Sequence, residues 1–220
     1  MAVSCGVSFG LCRTRVTKLD GLGNVLDETG NSYVSDRMVS IGLEPNIEQG
    51  NTFTRRNGCG CAISRFKVND IFNWFEFTFE DGALEPEMQA MMLGSDTITD
   101  GADVVGLAFG SALACDDDPA AVALEFWTQH LDEDGGLDEF HPYIHWVFPY
   151  TSWQIGGNTA EEDFMANALT GFSRSNARWG QGPYSDGPPD GQDIRNGAYW
   201  KTDDALPSAD CAAGDVEPGS

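Results

Sequence analysis

The sequence predicts a mainly-β fold, a β-sandwich or partly closed barrel carrying one short α-helix. Three observations predict it. Stretches of two-residue alternation recur along most of the chain, one of them turns directly into the lone stretch with helical spacing, and no internal repeat is visible. The 220 residues are enough to bury a substantial core, and a single domain is expected.

Residues 1–12 are small, Gly-containing and weakly patterned, the composition of an N-terminal arm that orders on assembly. Val16 to Leu19 read as a first strand, closed by the turn Asp20-Gly-Leu-Gly-Asn24. Asn31 to Asp36 lead into Val39-Ser-Ile-Gly-Leu43, a half-buried strand, and Pro45 either ends its pairing or marks a sheet edge. Residues 46–63 are polar and Gly-rich and read as a long loop carrying Arg55, Arg56, Asn57 and the pair Cys59 and Cys61. A connection of that length is expected to be functional, disordered or ordered by a partner.

Residues 71–80 carry the strongest pattern. Ile71, Phe75, Phe77 and Phe79 fall on one face, with Asn73 the exception, while Phe72, Trp74, Glu76, Thr78 and Glu80 fall on the other. Gly82 then supplies a turn, Pro86 suits the first helical position with Glu85 and Glu87 at the positive helix end, and Gly94 is a natural stop. Leu84, Met88, Met91 and Met92 share one helical face, which reads as core packing; a helix of about two turns persists only by burying it.

Beyond the helix, Ser95 to Asp103 read as loop, Val104 to Phe109 as a strand, and Cys115 to Pro119 as a break. Ala121 to Thr128 form a strand with Val122, Leu124 and Phe126 inward, and Asp132 to Phe140 an acidic loop. Tyr143 to Pro149 form another strand, with Ile144, Trp146 and Phe148 together, and Phe164 to Ser173 alternate again. From Tyr184 onward Gly, Pro and Asp dominate, so residues 185–220 read as a C-terminal extension to a domain over 13–184.

The chain holds 12 basic and 35 acidic residues, a net charge of −23, which argues against a groove that grips nucleic acid by displacing counterions. The charge is unevenly placed: residues 1–75 carry 8 Lys/Arg against 7 Asp/Glu, residues 76–220 carry 4 against 28. The plain reading is a solubilising surface. The sharper one is that Arg13, Arg15, Lys18, Arg55, Arg56, Arg65 and Lys67 meet acidic surface on a neighbouring copy, a head-to-tail contact that builds rings or filaments. The opening residues do not read as a signal peptide, and the longest nearly apolar run, 104–114, is about half of the ~20 residues a membrane span needs. The expectation is synthesis in the cytosol, no membrane partner, and six reduced cysteines.

Signals for chemistry are weak. Cys59 and Cys61 offer two thiolates but lack a second pair at zinc-site spacing. His130, Asp132, Asp134, His141 and His145 place metal-ligand types near one acidic loop, which makes a metal-dependent hydrolase conceivable; on a strand, though, His141 and His145 would lie about 13 Å apart at ~3.3 Å per residue. Residues 132–139 are similar to half of a calcium loop, with Gly136 at a ligand position. No phosphate-binding loop or nucleophile elbow is present.

The order of landmarks resembles the major tail tube proteins of long-tailed, siphovirus-type bacteriophages of actinobacteria. The landmarks are residues 13–20, Val39-Ser-Ile41, 45–50, Phe75-Glu-Phe-Thr-Phe79, and 85–94 with its Pro-Glu start and Leu-Gly end. Ala123 to Thr128, Tyr143 to Pro149 and Trp179-Gly-Gln-Gly-Pro-Tyr184 follow. The likeness spans roughly residues 13–184; Glu85 stands where the pattern has Asp, and 185–220 have no counterpart. It implies a tail-tube-like β-sandwich with a helix, joined into hexameric rings that stack into the virion's tail tube, the conduit for viral DNA. It implies no catalytic residue and no cofactor. Its partners would be the protein itself, the tape measure, tail tip and tail terminator proteins, and DNA in transit. On this reading Glu76, Thr78 and Glu80 line the lumen, where carboxylates repel phosphate, and Arg55, Arg56, Asn57, Arg65 and Lys67 belong to the ring-stacking interface. The alternative is a virion joining or adaptor protein that forms a ring but no tube.

Overall fold

The structure, a computed structural model, describes residues 7–26, 30–83, 85–109, 120–156, 159–160, 165–209, 211, 213, 214 and 216. It is mainly β, as predicted, with one helix among the described residues. In chain order the elements are β1 (Val7–Leu19), β2 (Ser32–Ser35), β3 (Met38–Glu48), β4 (Thr52–Arg56), β5 (Ala62–Lys67) and β6 (Ile71–Asp81). There follow α1 (Pro86–Leu93), β7 (Asp96–Asp100), β8 (Asp103–Ala108), β9 (Ala121–Leu131) and β10 (Tyr143–Ile155). The last are β11 (Thr159–Ala160), β12 (Met165–Ser173), β13 (Ala198–Thr202) and β14 (Ala213–Gly214).

One antiparallel sheet organises the molecule, in the order β14-β2-β1-β9-β10-β12-β6-β3, with β13 added to β10 and β11 to β12. The sheet curls over without closing. β2 and β3 lie near its opposite ends yet are joined by Asp36 and Arg37 alone, and Thr14 of β1 donates from its hydroxyl to the Met38 sulfur of β3. The bend in β10 falls at Pro149, where its register on β9 shifts between Phe148 and Thr151; a proline without an N–H suits that irregular position.

The concave side holds the main core. Val16, Val122, Leu124, Phe126 and Phe148 from one half of the sheet meet Phe77, Phe79, Trp153 and Leu169 from the other. Phe77 lies edge-on to Phe148 at 4.9 Å, an arrangement favoured by the ring quadrupoles. Met88, Met91 and Met92 of α1 close the core, and Gly94, with φ +65°, ends the helix in the left-handed conformation that its Cβ-less backbone permits. Leu84, placed on the same helical face by its spacing, lies outside the described residues, as do Phe164, Cys5 and the break at 115–119.

Several expectations are corrected. Ile71 is exposed although Phe77 and Phe79 are buried, because the outer half of β6 pairs with the outer half of β3 in an arm that runs past the core. Residues 46–63 are not a loop: β3 continues through Glu48, and β4 and β5 form a hairpin whose Gly residues are confined to its turn. Pro45 sits within β3 opposite Phe75, tolerated because β3 is the sheet's terminal strand. Ser95 to Asp103 likewise contains β7, paired with β8. On the N-terminal side, residues 7–12 belong to β1, and residues 1–6 lie outside the described residues.

Nor is the region beyond residue 184 simply extended. Ile194 and Trp179 pack with Leu19, Ala121, Ala123 and Val147 on the convex side of the sheet, β13 extends the ladder of β10, and β14 pairs with β2. Consequently β9 is buried on both faces, although its sequence reads as a strand with one core face. Scattered Ile, Trp and Tyr among Gly, Pro and Asp give no period, which is why composition alone hides this packing. No helix among the described residues is long and apolar enough to cross a membrane.

Candidate assembly surface

The arm begins where β3 and β6 leave the core and ends in the β4–β5 hairpin. Every residue of β4 and β5 is exposed, so neither face of that hairpin packs on its own chain. The alternation in Thr52-Phe-Thr-Arg and Ile63-Ser-Arg-Phe forms the strands, and the turn is held by Asn57, whose side-chain oxygen accepts from the backbone N–H groups of Cys59 (3.1 Å) and Cys61 (2.8 Å). Phe53 and Phe66 face each other across the ladder at 60% and 66% exposure. Phe72, Trp74, Ile47 and Ile71 continue the exposed apolar surface along the arm. A free two-stranded hairpin is at best marginally stable in water, and concentrated exposed apolar surface is characteristic of contact sites.

Arg55, Arg56, Arg65 and Lys67 all lie on this hairpin, distributed over both of its faces. Register and alternation put Arg55 on the face of Phe53 and Phe66, and Arg65 with Lys67 on the other. Arg56 donates to the Gly60 carbonyl at 2.8 Å and Lys67 pairs with Asp70 at 2.9 Å, whereas Arg55 and Arg65 have no acidic partner among the described residues. Asn57 is engaged in the turn itself.

Glu76, Thr78 and Glu80 lie on the face of β6 opposite the side that carries Phe77 and Phe79. Across the ladders they face Glu44, Gly42 and Ser40 of β3 and Phe172, Thr170 and Ala168 of β12. Glu76 accepts from the Asn46 side-chain amide at 2.8 Å and from the Trp74 indole N–H at 3.3 Å, and Glu80 accepts from the Ser40 hydroxyl at 3.1 Å. This face forms an open groove of about 880 Å³ bordered by Arg174. Glu44 and Glu76 are the carboxylates that line the groove, and Glu80 lies farther along the same face of β6.

Two buried charged groups are not apparent from the sequence. Arg15, which reads there as a cation available to a neighbour, is buried; its guanidinium donates to Glu125 at 2.7 and 2.8 Å and to Asp186 at 3.0 and 3.1 Å. It also stacks on the Tyr184 ring, 3.4 Å from the centroid. Burial opposes ionisation of Glu125, but Arg15 and then His145, whose Nε2 lies 3.3 Å away, overcome it and hold the carboxyl at about 2. Arg15 and Glu125 are direct partners across β1 and β9, a pairing that becomes readable only once the register is known. Arg13 is also engaged at home, 3.5 Å from Asp36. The second group is Asp81 with Glu85, both buried at the start of α1; burial first, and Glu85 next, push Asp81 up to about 7.

The metal-ligand types near the acidic loop do not converge. His130 donates from Nδ1 to the His141 carbonyl at 3.0 Å, while the His145 ring stacks on Trp127 with centroids 4.2 Å apart. Asp132 accepts from the backbone N–H groups of Asp134 and Gly136 and so braces its own loop. Among the described residues, one trio could gather around a metal, Glu125, His145 and Asp186, but the Arg15 guanidinium already supplies the positive charge between two of its members. Cys59 and Cys61 are exposed free thiols. Compared with known families and curated proteins, the chain matches no family model and no curated sequence.

Proposed function

We propose that the protein is a self-assembling structural subunit, the building block of a bacteriophage tail tube, joined into rings and stacked into a conduit for viral DNA. The observation that carries the reading is the arm: a β3–β6 ladder ending in a hairpin bare on both faces, apolar and cationic at once. Surface of this kind has its natural complement on another subunit, and a chain of 12 basic against 35 acidic residues offers that complement on copies of itself. The outer edge of β3, unpaired among the described residues, is open to strand addition by a neighbour.

The carboxylate-bearing face of β6 supports the conduit part of the reading. Glu76, Thr78 and Glu80 belong to a continuous sheet surface, and turned toward a lumen their carboxylates would let a polyanion pass without adhering. No catalytic role is assigned to any residue. The virion is the proposed location, with tape measure, tail tip and tail terminator proteins as the proposed partners besides the protein itself.

Negative-stain electron microscopy with light scattering on the purified chain, across concentration and salt, tests the proposal. Hollow tubes or stacked rings are expected. Single rings that never stack would favour the joining or adaptor reading, and a monomer at all concentrations, with and without tail-tip components, would contradict both.

A further inference from the structure

We infer that the β4–β5 hairpin of one subunit docks on the β7–β8 hairpin of a second copy of the same chain. The inference rests on the assembly reading above and names the surface that receives the cationic hairpin.

Both hairpins stand apart from the main sheet as separate two-stranded ladders. Their charges are opposite: residues 49–69 contain Arg55, Arg56, Arg65 and Lys67 and no acid, with Lys67 alone paired to Asp70 just beyond, while residues 96–109 contain Asp96, Asp100 and Asp103 and no base. Each combines its charge with bare apolar side chains. Ile63 is 64% exposed on the first hairpin, and Ile98 and Val105 are 50% and 59% exposed on the second. The acidic hairpin is well placed to act as a fixed receptor, because β7 and β8 pack against α1, whose methionines are part of the core.

The tip of β7–β8 carries a specific electrostatic deficit. Asp100 and Asp103 are direct partners across the ladder, joined by Gly101 and Ala102, and like charges opposite each other destabilise a strand pair. Residues 76–173 hold no Lys or Arg, so that stretch offers them no nearby cation. The unpaired Arg55 and Arg65 of another copy supply what the tip lacks. The other acidic stretch, 132–139, is less suited, since Asp132 and Asp138 each accept two backbone hydrogen bonds within their own loop. Because the two hairpins are different surfaces of identical chains, the contact is head-to-tail and propagates.

The test uses charge exchange on the full chain. One variant carries Arg55→Glu, Arg56→Glu and Arg65→Glu; another carries Asp96→Lys, Asp100→Lys and Asp103→Lys; a third carries all six and keeps the net charge at −23. Light scattering and electron microscopy follow assembly, and circular dichroism with thermal unfolding confirms that each chain folds. Each three-residue variant should need at least about 100-fold more protein to assemble, as expected for loss of close charge pairs across an interface. The 1:1 mixture of the two, and the six-residue exchange, should assemble as wild type does. Normal assembly of the Asp→Lys variant, or failure of both the mixture and the exchange while all chains are folded, overturns the pairing but leaves self-assembly standing. Loss of assembly on reversing Asp132, Glu133, Asp134 and Glu139, with β7–β8 reversal silent, would move the receptor to that loop. A wild-type chain that never assembles defeats the underlying reading instead.

Discussion

Replacing Arg15 by Met removes the guanidinium while keeping an apolar stem of similar reach, and the damage is confined to one buried cluster. Glu125 loses hydrogen bonds of 2.7 and 2.8 Å and is left buried with His145 at 3.3 Å as its remaining close partner. Breaking a buried pair on one side typically costs about 3–5 kcal/mol, because the other charge stays behind without compensation. Linkage gives a similar figure: a carboxyl held at about 2 instead of 4.5 corresponds to roughly 3 kcal/mol. The sign is that of a depressed acid. Its stabilisation is present above pH 4.5 and is lost as pH falls through about 2. Urea unfolding at pH 7, followed by tryptophan fluorescence, should show the full loss for Arg15→Met. The double variant Arg15→Met, Glu125→Leu should recover much of it, with a coupling of at least about 2 kcal/mol between the sites. Hydrogen exchange should also quicken over residues 184–202, which Asp186 and Tyr184 tie to Arg15. A loss below about 1 kcal/mol, or additive losses in the cycle, would refute the view that this ion pair clasps the C-terminal segment to the sheet.

The remaining predictions concern α1, its cap and the arm. Asp81, pushed up to about 7, lowers stability as pH rises from about 4 to 7, since the unfolded chain releases the proton first; Asp81→Asn should flatten that limb and add about 2 kcal/mol at pH 8 after discounting for solvent screening, measured as urea midpoints against pH. Gly94→Ala should cost about 1–3 kcal/mol in thermal unfolding, because φ is +65° and the new Cβ would lie 2.7 Å from that of Ala120. Phe53→Thr with Phe66→Thr should leave monomer stability within about 0.5 kcal/mol, both rings being bare, yet raise the concentration needed for assembly in light scattering.

Local order is legible in the sequence: the inward faces of Val122, Leu124 and Phe126, the buried pair Phe77 and Phe79, and a helix begun by Pro86 and ended by Gly94. These depend on periods of two and 3.6 residues, which each element displays by itself. Long-range consequences are not legible. Arg15 reads as a surface cation because its strand alternates normally, and only the cross-strand partnership with Glu125 and the approach of Asp186 reveal it as buried. Arg55-Arg56-Asn57 beside two glycines reads as loop, since nothing local distinguishes a glycine-rich turn at a hairpin tip from an irregular connection. The C-terminal segment is obscured for the opposite reason: Ile194 and Trp200 are too sparse to give a period, yet each finds a place against the sheet. Proximity in sequence is enough to group Arg55, Arg56, Arg65 and Lys67 in one segment, whereas their separation onto two hairpin faces comes from the register.

Everything proposed for assembly requires that the bare β4–β5 hairpin be covered by another copy of the chain. Amide hydrogen exchange over residues 52–67 should therefore be measured below and above the concentration at which light scattering detects assembly. Exchange should be rapid in the dispersed protein and slowed at least about tenfold in the assembled one, as backbone in a solvent-exposed hairpin becomes enclosed. Equal exchange in the two states, in a preparation that has demonstrably assembled, would contradict the assignment of this hairpin to the interface.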